Sequence, residues 1–389
     1  MTPPVRQMRP MPPIPWTGLW GLVVAGLVLL PPVAEWFHEV GHRWLFIFLL
    51  SASLSVGAMP LCHWVSIRLD IIDRPDNRKR HARPTPKLGG LAIYAGMVAA
   101  LAANSIMLKG MEAVAVACTL MLVIGLLDDW RGVPAAWRLA VQVASVAVVT
   151  ASGQVLTLFP QTFLGQAANL ALTALWIIGI TNAFNFFDGL DGLAGGLAVI
   201  IAGFMGAIAF QTRQPLLGWM TVALVGASLG FLLYNWRWRR PALIFLGDSG
   251  ASFIGFLLAC LAVVGDWSTR DPLVSISNPL LIFGVLIFDM VHITVARLVS
   301  RRVRTFREWI DYVGTDHLHH RLLQLFGRPG MVVWFIFLLN IALGLSALEL
   351  RDAGLTKALF LILQAVIILS LVTLLEHVRR AQPPSGGKA

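Results

Sequence analysis

No charged side chain stands between Leu193 and Phe210, and comparable apolar runs recur along almost the whole chain. A run of that kind suits the roughly 20 residues that a helix needs to cross a bilayer. Twelve such segments are predicted, at about 16–34, 44–60, 88–108, 113–127, 137–151, 164–181, 192–211, 215–235, 251–265, 278–298, 331–349 and 355–375. With 57% hydrophobic and only 13% charged residues among 389, the chain is too apolar for a water-soluble domain. The fold class is therefore all-α: a polytopic integral membrane helical bundle, with about eleven core transmembrane helices plus an extra N-terminal one. The expected organisation is an N-terminal extension at 1–43, a transmembrane domain at 44–377 and a flexible cytoplasmic tail at 378–389. Pro31-Pro32-Val33-Ala34-Glu35 is a poor cleavage site, so the first segment reads as an uncleaved helix rather than a signal peptide.

Charge sets the orientation. The formal net charge is +10, yet the basic residues sit in short loops between spans, which points to topology and anionic substrates and not to nucleic acid. With a cytoplasmic N-terminus, only six of the 30 Lys and Arg fall outside: Arg43, Lys109, Arg213, Arg270, Arg351 and Lys357. The positive-inside rule then places every chemically rich cluster on the cytoplasmic face. Cys62, Cys118 and Cys260 lie in apolar runs without metal-ligand spacing and read as packing residues.

Several polar clusters interrupt the apolar pattern. Asn182, Asn185, Asp188 and Asp191 follow one another at three-residue intervals, with Gly189 and Gly192 between the last two and after them. An Asp at the centre of a membrane helix costs roughly 2.5–3.5 kcal/mol, so these groups belong at the water boundary, where they read as functional. On a helix, Asn182, Asn185 and Asp188 share one face, and the glycines let Asp191 turn back toward it. Asp128-Asp129 closes the segment at 113–127, where two carboxylates oppose the helix dipole. They read either as a solvated helix end or as a site for a hard cation such as Mg²⁺.

Asp248 stands between glycines just before another apolar segment, as a helix cap or as a ligand. The stretch from Asp73 through Lys79 and His81 to Lys87 is basic and broken by prolines. It reads as a loop on anionic lipid or as an arm that holds phosphates. His317, His319 and His320 precede Arg321; with no cysteine near, hydrogen bonding to phosphate or nucleotide fits them better than zinc. Asp289 lies inside a span and reads as a helix-packing hydrogen bond.

Taken together, these motifs resemble the polyprenyl-phosphate N-acetylhexosamine-1-phosphate transferase family, glycosyltransferase family 4. The matching pieces are Asp-x-Pro-x-x-Arg-Lys-x-His at 73–81, Gly89-Gly90, Asp128-Asp129, Asn-x-x-Asn-x-x-Asp-Gly-Leu-Asp-Gly at 182–192, Leu-Gly-Asp-Ser-Gly at 246–250 and His-x-His-His-Arg at 317–321. The resemblance spans about residues 44 to 330 and is nearer to the branch using UDP-GlcNAc than to the peptidoglycan translocase. It departs at Ala251, where many members carry Ser, and in the long interval from Asn235 to Asp248, which leaves Asn235 without an assigned role.

The resemblance implies an enzyme of the bacterial inner membrane with its active site on the cytoplasmic face. It would transfer N-acetylhexosamine-1-phosphate, with GlcNAc-1-phosphate favoured, from a UDP-N-acetylhexosamine to undecaprenyl phosphate, releasing UMP. The cofactor would be Mg²⁺, with Mn²⁺ able to substitute, and the partners would be the two substrates, the lipid bilayer and, in a homodimer, a second copy. Asp128, Asp129, Asp188 and Asp248 would be catalytic, with Asp248, Asp128 and Asp129 at the metal. Lys79, His81, Asn185, Asp191, His317, His319, His320 and Arg321 would bind substrate, and Phe245 would stack on uracil. The competing readings are the peptidoglycan translocase and, from a different class, a secondary transporter. A transporter would call for mid-membrane ionisable residues and a repeat between halves, and neither is clear in the sequence.

Overall fold

The computed structural model describes residues 17–75, 83–106, 110–237, 240–267, 272–301, 316–350 and 353–381. The chain divides into two compact units, Met1–Gly265 and Asp266–Ala389. The first opens with α1 (Thr17–Val28), α2 (Pro31–Glu39), α3 (Arg43–Arg68), β1 (Ile72–Asp73) and β2 (Thr85–Pro86). It continues with α4 (Gly89–Ala103), α5 (Glu112–Arg131), α6 (Ala135–Ala151), α7 (Phe163–Phe186), α8 (Leu193–Gln211), α9 (Pro215–Asn235) and α10 (Gly247–Val264). The second unit holds α11 (Pro272–Ile282), α12 (Gly284–Val299), α13 (Leu318–Phe326), α14 (Pro329–Leu350) and α15 (Leu355–Ala381).

Among the described residues, eight helices are long and apolar enough to cross a membrane: α3, α5, α7, α8, α9, α10, α14 and α15. The number rises to ten if each of two bent pairs forms one span, α1 with α2 at 66° and α11 with α12 at 75°. Helices α4 and α6 are apolar but only 15 and 17 residues long. Each of the twelve predicted segments coincides with a helix or a bent pair, and the protein is a polytopic helical membrane bundle. The N-terminal segment is not a straight span. At 12 residues, α1 is about 18 Å long, and Pro31-Pro32 then starts α2 in a new direction because proline cannot continue the hydrogen-bond ladder of the helix before it.

In the first unit, α10 packs against α4, α5, α7 and α8. Small residues make this central place available. Gly90 lies against the backbone of Gly250, and Gly125 against that of Ser249, so closely that a Cβ at either position would overlap main chain. Lipid supplies no hydrophobic drive between helices, so such close backbone approach is what packs them. Ser55 Oγ on α3 similarly donates to the Ala227 carbonyl of α9 at 2.8 Å.

Among the described residues, the sole departure from helix in the regular elements is a small antiparallel ladder pairing Ile72 with Pro86 and Asp73 with Thr85. It closes the proline-rich loop on itself. Pro86 O then accepts the amide of Phe245 at 2.7 Å, and the Gly89 amide donates to Phe245 O at 2.9 Å. This backbone pairing ties the start of α4 to the segment leading into α10. Lys79 and His81 lie outside the described residues.

Candidate active site

The site is built on the first turn of α10. Gly247 has φ +79°, a conformation costly for other residues, and a side chain there would meet the Lys87 carbonyl and the Asp129 carboxylate. The turn at Gly247 aims the orphan amides of α10 at Asp129 on α5. Asp129 Oδ1 accepts from the Asp248 amide at 3.1 Å and Oδ2 from the Ser249 amide at 3.0 Å. A buried carboxylate thus satisfies two unpaired helix donors and sits at the positive end of the dipole. Lys87 Nζ lies 3.3 Å from Asp129 Oδ1. Burial works against the Lys87 charge, but Asp129, Asp248 and Asp73 together hold its pKa above the ordinary lysine value.

Asp128, one residue earlier, faces a different partner. Its Oδ1 accepts the Val133 amide at 2.6 Å, and its Oδ2 accepts from Arg138 at 2.6 Å. The same Arg138 nitrogen is 3.8 Å from Asp248 Oδ1, so one guanidinium stands between two carboxylates. Asp248 also accepts from Asn185 Nδ2 at 3.0 Å. Its side chain is 34% exposed, which leaves it open to a ligand.

Helix α7 stops at Phe186, so Asp188 sits in the turn beyond it and not on the helical face shared by the two asparagines. Its carboxyl is held well above the ordinary value of 3.8, first by burial and then by the negative charges of Asp248, Asp129 and Asp191, against a bond from the Gly247 amide. Gly192, at φ +84°, ends the turn and starts α8. Asp191 Oδ2 accepts the Ala242 amide at 3.0 Å. Asn182 is directed elsewhere, exchanging hydrogen bonds with Gln142 on α6 at 2.9 and 3.3 Å.

Asn235 joins these loops: its Oδ1 accepts the Gly192 amide at 2.7 Å and its Nδ2 donates to the Ile244 carbonyl at 3.0 Å. It fixes the segment carrying Phe245, whose side chain is half-buried.

Among the described residues, no three His, Cys, Asp or Glu side chains form a preassembled metal cage. Mg²⁺ needs none, since one or two carboxylates usually suffice when phosphates and waters complete the shell. The donor set fits that pattern at Asp248, which is half-exposed and near the carboxylates of Asp129 and Asp188, whose charges a cation would relieve. Asp128 could join where Arg138 yields. Asp129 is the poorest of the three expected ligands, because both of its oxygens already accept from α10.

The histidine run belongs to the second unit. His317 precedes α13, and its Nδ1 is 2.9 Å from Asp289 Oδ2 on α12. Asp289 Oδ1 accepts the Leu318 amide at 2.6 Å. The rings of His317 and His319 are near-parallel with centroids 6.2 Å apart, and those of His319 and His320 are 4.1 Å apart. Arg321 is buried, 3.4 Å from Glu376 and 3.8 Å from Asp289. Arg297 holds Asp316 through two bonds of 2.8 Å; although burial opposes it, this pair keeps the Asp316 carboxyl below its ordinary value. A cavity of about 260 Å³ opens beside Arg297, Asp316 and Arg321.

The structure therefore gathers Asp128, Asp129, Asn185, Asp188 and Asp248 in one place, with Asp191 bound to the adjoining loop. Sequence reasoning overlooked Arg138 and gave Lys87 no role of its own. Arg138 carried a signal that went unused: a lone cation near the start of an apolar helix, ten residues after Asp128. Asp289 was read as a helix-packing hydrogen bond, and it does bond from α12 to the start of α13, through the Leu318 amide and the His317 ring.

A model described as glycosyl transferase family 4 matches residues 111–266, which hold all four aspartates of the site. A probable undecaprenyl-phosphate N-acetylglucosaminyl 1-phosphate transferase of Bacillus subtilis (strain 168) is 32% identical over 331 residues, covering 84% of this chain and 90% of its own. A decaprenyl-phosphate N-acetylglucosaminephosphotransferase of Mycobacterium leprae (strain TN) is 31% identical over 369 residues, with 85% and 90% covered. An undecaprenyl-phosphate alpha-N-acetylglucosaminyl 1-phosphate transferase of Escherichia coli (strain K12) is 27% identical over 271 residues, with 67% and 71% covered. Identity at this level over most of both chains, together with carboxylates gathered at the helix ends, places the chain in glycosyl transferase family 4.

Proposed function

We propose that this protein transfers GlcNAc-1-phosphate from UDP-GlcNAc to undecaprenyl phosphate, releases UMP and so begins a cell-envelope polysaccharide. The reaction would take place on the cytoplasmic face of a bacterial inner membrane, where the positive-inside pattern puts these loops. The observation that carries the reading is the half-exposed Asp248 carboxylate, held among Asp128, Asp129, Asp188, Lys87 and Arg138. The names of the relatives, transferases of N-acetylglucosaminyl 1-phosphate to undecaprenyl or decaprenyl phosphate, support the group transferred and a polyprenyl-phosphate acceptor.

In the proposed reaction, an oxygen of the lipid phosphate attacks the β-phosphorus of the UDP-sugar. The bond from that phosphorus to the bridging oxygen breaks, and UMP leaves with the bridging oxygen. A phosphate monoester has a second pKa near 6, so the attacking group is largely dianionic at neutral pH and needs no general base. Asp248, joined by Asp128, would hold Mg²⁺, which when bound neutralises phosphate charge. Asp129 fixes the start of α10 and thereby the place of Asp248. Lys87 and Arg138 supply positive charge for the phosphate oxygens. Asn185 orients Asp248, Phe245 offers a face for uracil, and the run from His317 to Arg321 is proposed to hydrogen-bond the substrate.

The test is purified protein with Mg²⁺, undecaprenyl phosphate and a panel of UDP-sugars that includes UDP-MurNAc-pentapeptide, scored for UMP. UMP from UDP-GlcNAc is the expected result. Turnover of the pentapeptide donor alone would favour the translocase, and no UMP from any donor would refute the reading. Asp128→Asn is expected to slow turnover at every pH. Recovery of its rate on raising the pH would overturn the claim that no base is needed.

A further inference from the structure

We propose that Asp289 is a positioning residue for the reaction: it fixes the ring of His317 in the form that carries hydrogen on Nδ1 and leaves Nε2 as the ring's hydrogen-bond acceptor for substrate. The proposal rests on the transferase reading, in which the histidine run touches substrate.

The geometry is specific. Asp289 is fully buried on α12, and its two oxygens have different tasks. Oδ1 accepts the Leu318 amide at 2.6 Å, which caps the first turn of α13. Oδ2 lies 2.9 Å from His317 Nδ1. A carboxylate oxygen offers only acceptor sites, so the hydrogen in that second contact belongs to Nδ1. Nε2 is then the ring's acceptor nitrogen.

Helix capping alone does not account for Asp289. A neutral Asn or Ser serves a helix N-terminus equally well, whereas an ionisable residue inside an apolar helix is costly and reads as functional. The backbone of His317, at φ −64° and ψ 152°, is extended just before the helix begins. The same carboxylate therefore reaches both its ring and the amide of the next residue. Of the three histidines, His317 is the one the structure pairs with this carboxylate; the rings of His319 and His320 follow it in a row. Arg321 Nη2 is a cationic neighbour 3.8 Å from Asp289 Oδ1, beyond hydrogen-bond distance.

Asp289→Asn separates the two tasks. Its carboxamide oxygen can still accept the Leu318 amide, but its NH₂ group then faces Nδ1 and forces the ring hydrogen onto Nε2. In ¹⁵N-histidine spectra of the full-length protein in nanodiscs, with the His317 signal assigned by its loss in His317→Gln, the wild type is expected in the Nδ1–H form. Asp289→Asn should move it to the Nε2–H form. In the UMP assay, Asp289→Asn should lower kcat by about 10–100-fold, the usual cost of losing a partner that orients a functional histidine. KM for UDP-GlcNAc should rise as well, because His317 is itself among the groups proposed to hydrogen-bond the substrate.

Asp289→Glu should recover part of the rate, and Asp289→Ala should lose both rate and thermal stability. A wild-type His317 in the Nε2–H form overturns the proposal, and that measurement needs no variant to fold. Wild-type kcat in Asp289→Asn overturns it equally. If the wild type releases no UMP from any donor, the transferase reading fails, and the histidine spectrum still decides whether Asp289 sets the ring.

Discussion

Asp129 meets Asp248 through the main chain, with its Oδ1 accepting the Asp248 amide at 3.1 Å while its Oδ2 takes the amide of Ser249. The second of the adjacent aspartates is thereby a cap for α10, and only the first points at Arg138. Asp129→Ala should cost about 0.5–2 kcal/mol for the lost cap, with a further loss from leaving Lys87 unpaired. Thermal melting in detergent, followed by tryptophan fluorescence, should show a lowered Tm together with lost UMP release. An unchanged Tm with lost activity would instead make Asp129 a group that acts on substrate.

Arg138 stands where a cation would be drawn, 2.6 Å from Asp128 and 3.8 Å from Asp248. Removing its charge should let Mg²⁺ bind those carboxylates more tightly while weakening the grip on phosphate oxygens. Arg138→Ala is therefore expected to lower the half-saturating Mg²⁺ concentration and to raise KM for the UDP-sugar. Arg138→Lys should recover only part, because a point charge cannot span two partners as a guanidinium does. A higher Mg²⁺ requirement in Arg138→Ala would show that Arg138 helps the metal bind and does not compete with it.

Asp188 makes the metal-free protein sensitive to pH. Its folded-state pKa lies well above the ordinary 3.8, through burial and the charges of Asp248, Asp129 and Asp191. The folded state therefore holds this proton more tightly than the unfolded chain. Its stabilising effect is complete below the unfolded value and is lost as pH rises through the raised one. In chelator, Tm should fall across that window from about pH 4 upward, and Asp188→Asn should flatten the fall. Mg²⁺ should restore part of the stability at neutral pH, where the carboxylates repel one another most. A Tm independent of pH in chelator would contradict the crowding.

How much of this was legible in the sequence differs between fold and site. Hydropathy marked each described helix that is long and apolar enough to span a membrane, because burying backbone and charge in lipid is costly. It could not show the bend between α1 and α2, which comes from paired prolines, or distinguish the short α4 and α6 from full spans. The aspartates were found because charge among apolar residues is conspicuous. Their division of labour was not, since Asp129 and Asp128 differ only in which side of α5 they occupy. Arg138 escaped although it lies only ten residues after Asp128, and Asp289 was noticed without its partner, because spacing does not record a contact such as that with His317.

Asn235 had no role in the sequence reading and has two hydrogen bonds in the structure, to the Gly192 amide and the Ile244 carbonyl. Asn235→Asp is nearly isosteric and separates them. The aspartate still accepts from Gly192, but it turns an acceptor toward the buried Ile244 carbonyl. An unsatisfied buried group costs about 1–3 kcal/mol, and the charge repulsion adds to it. The strain falls on the residue before Phe245, so the variant should melt earlier and bind donor less well. KM for UDP-GlcNAc should rise more than kcat falls, because the aspartates around Asp248 are held by other bonds. If KM is unchanged while Tm drops, Phe245 does not contact the nucleotide, and the uracil face must be sought elsewhere.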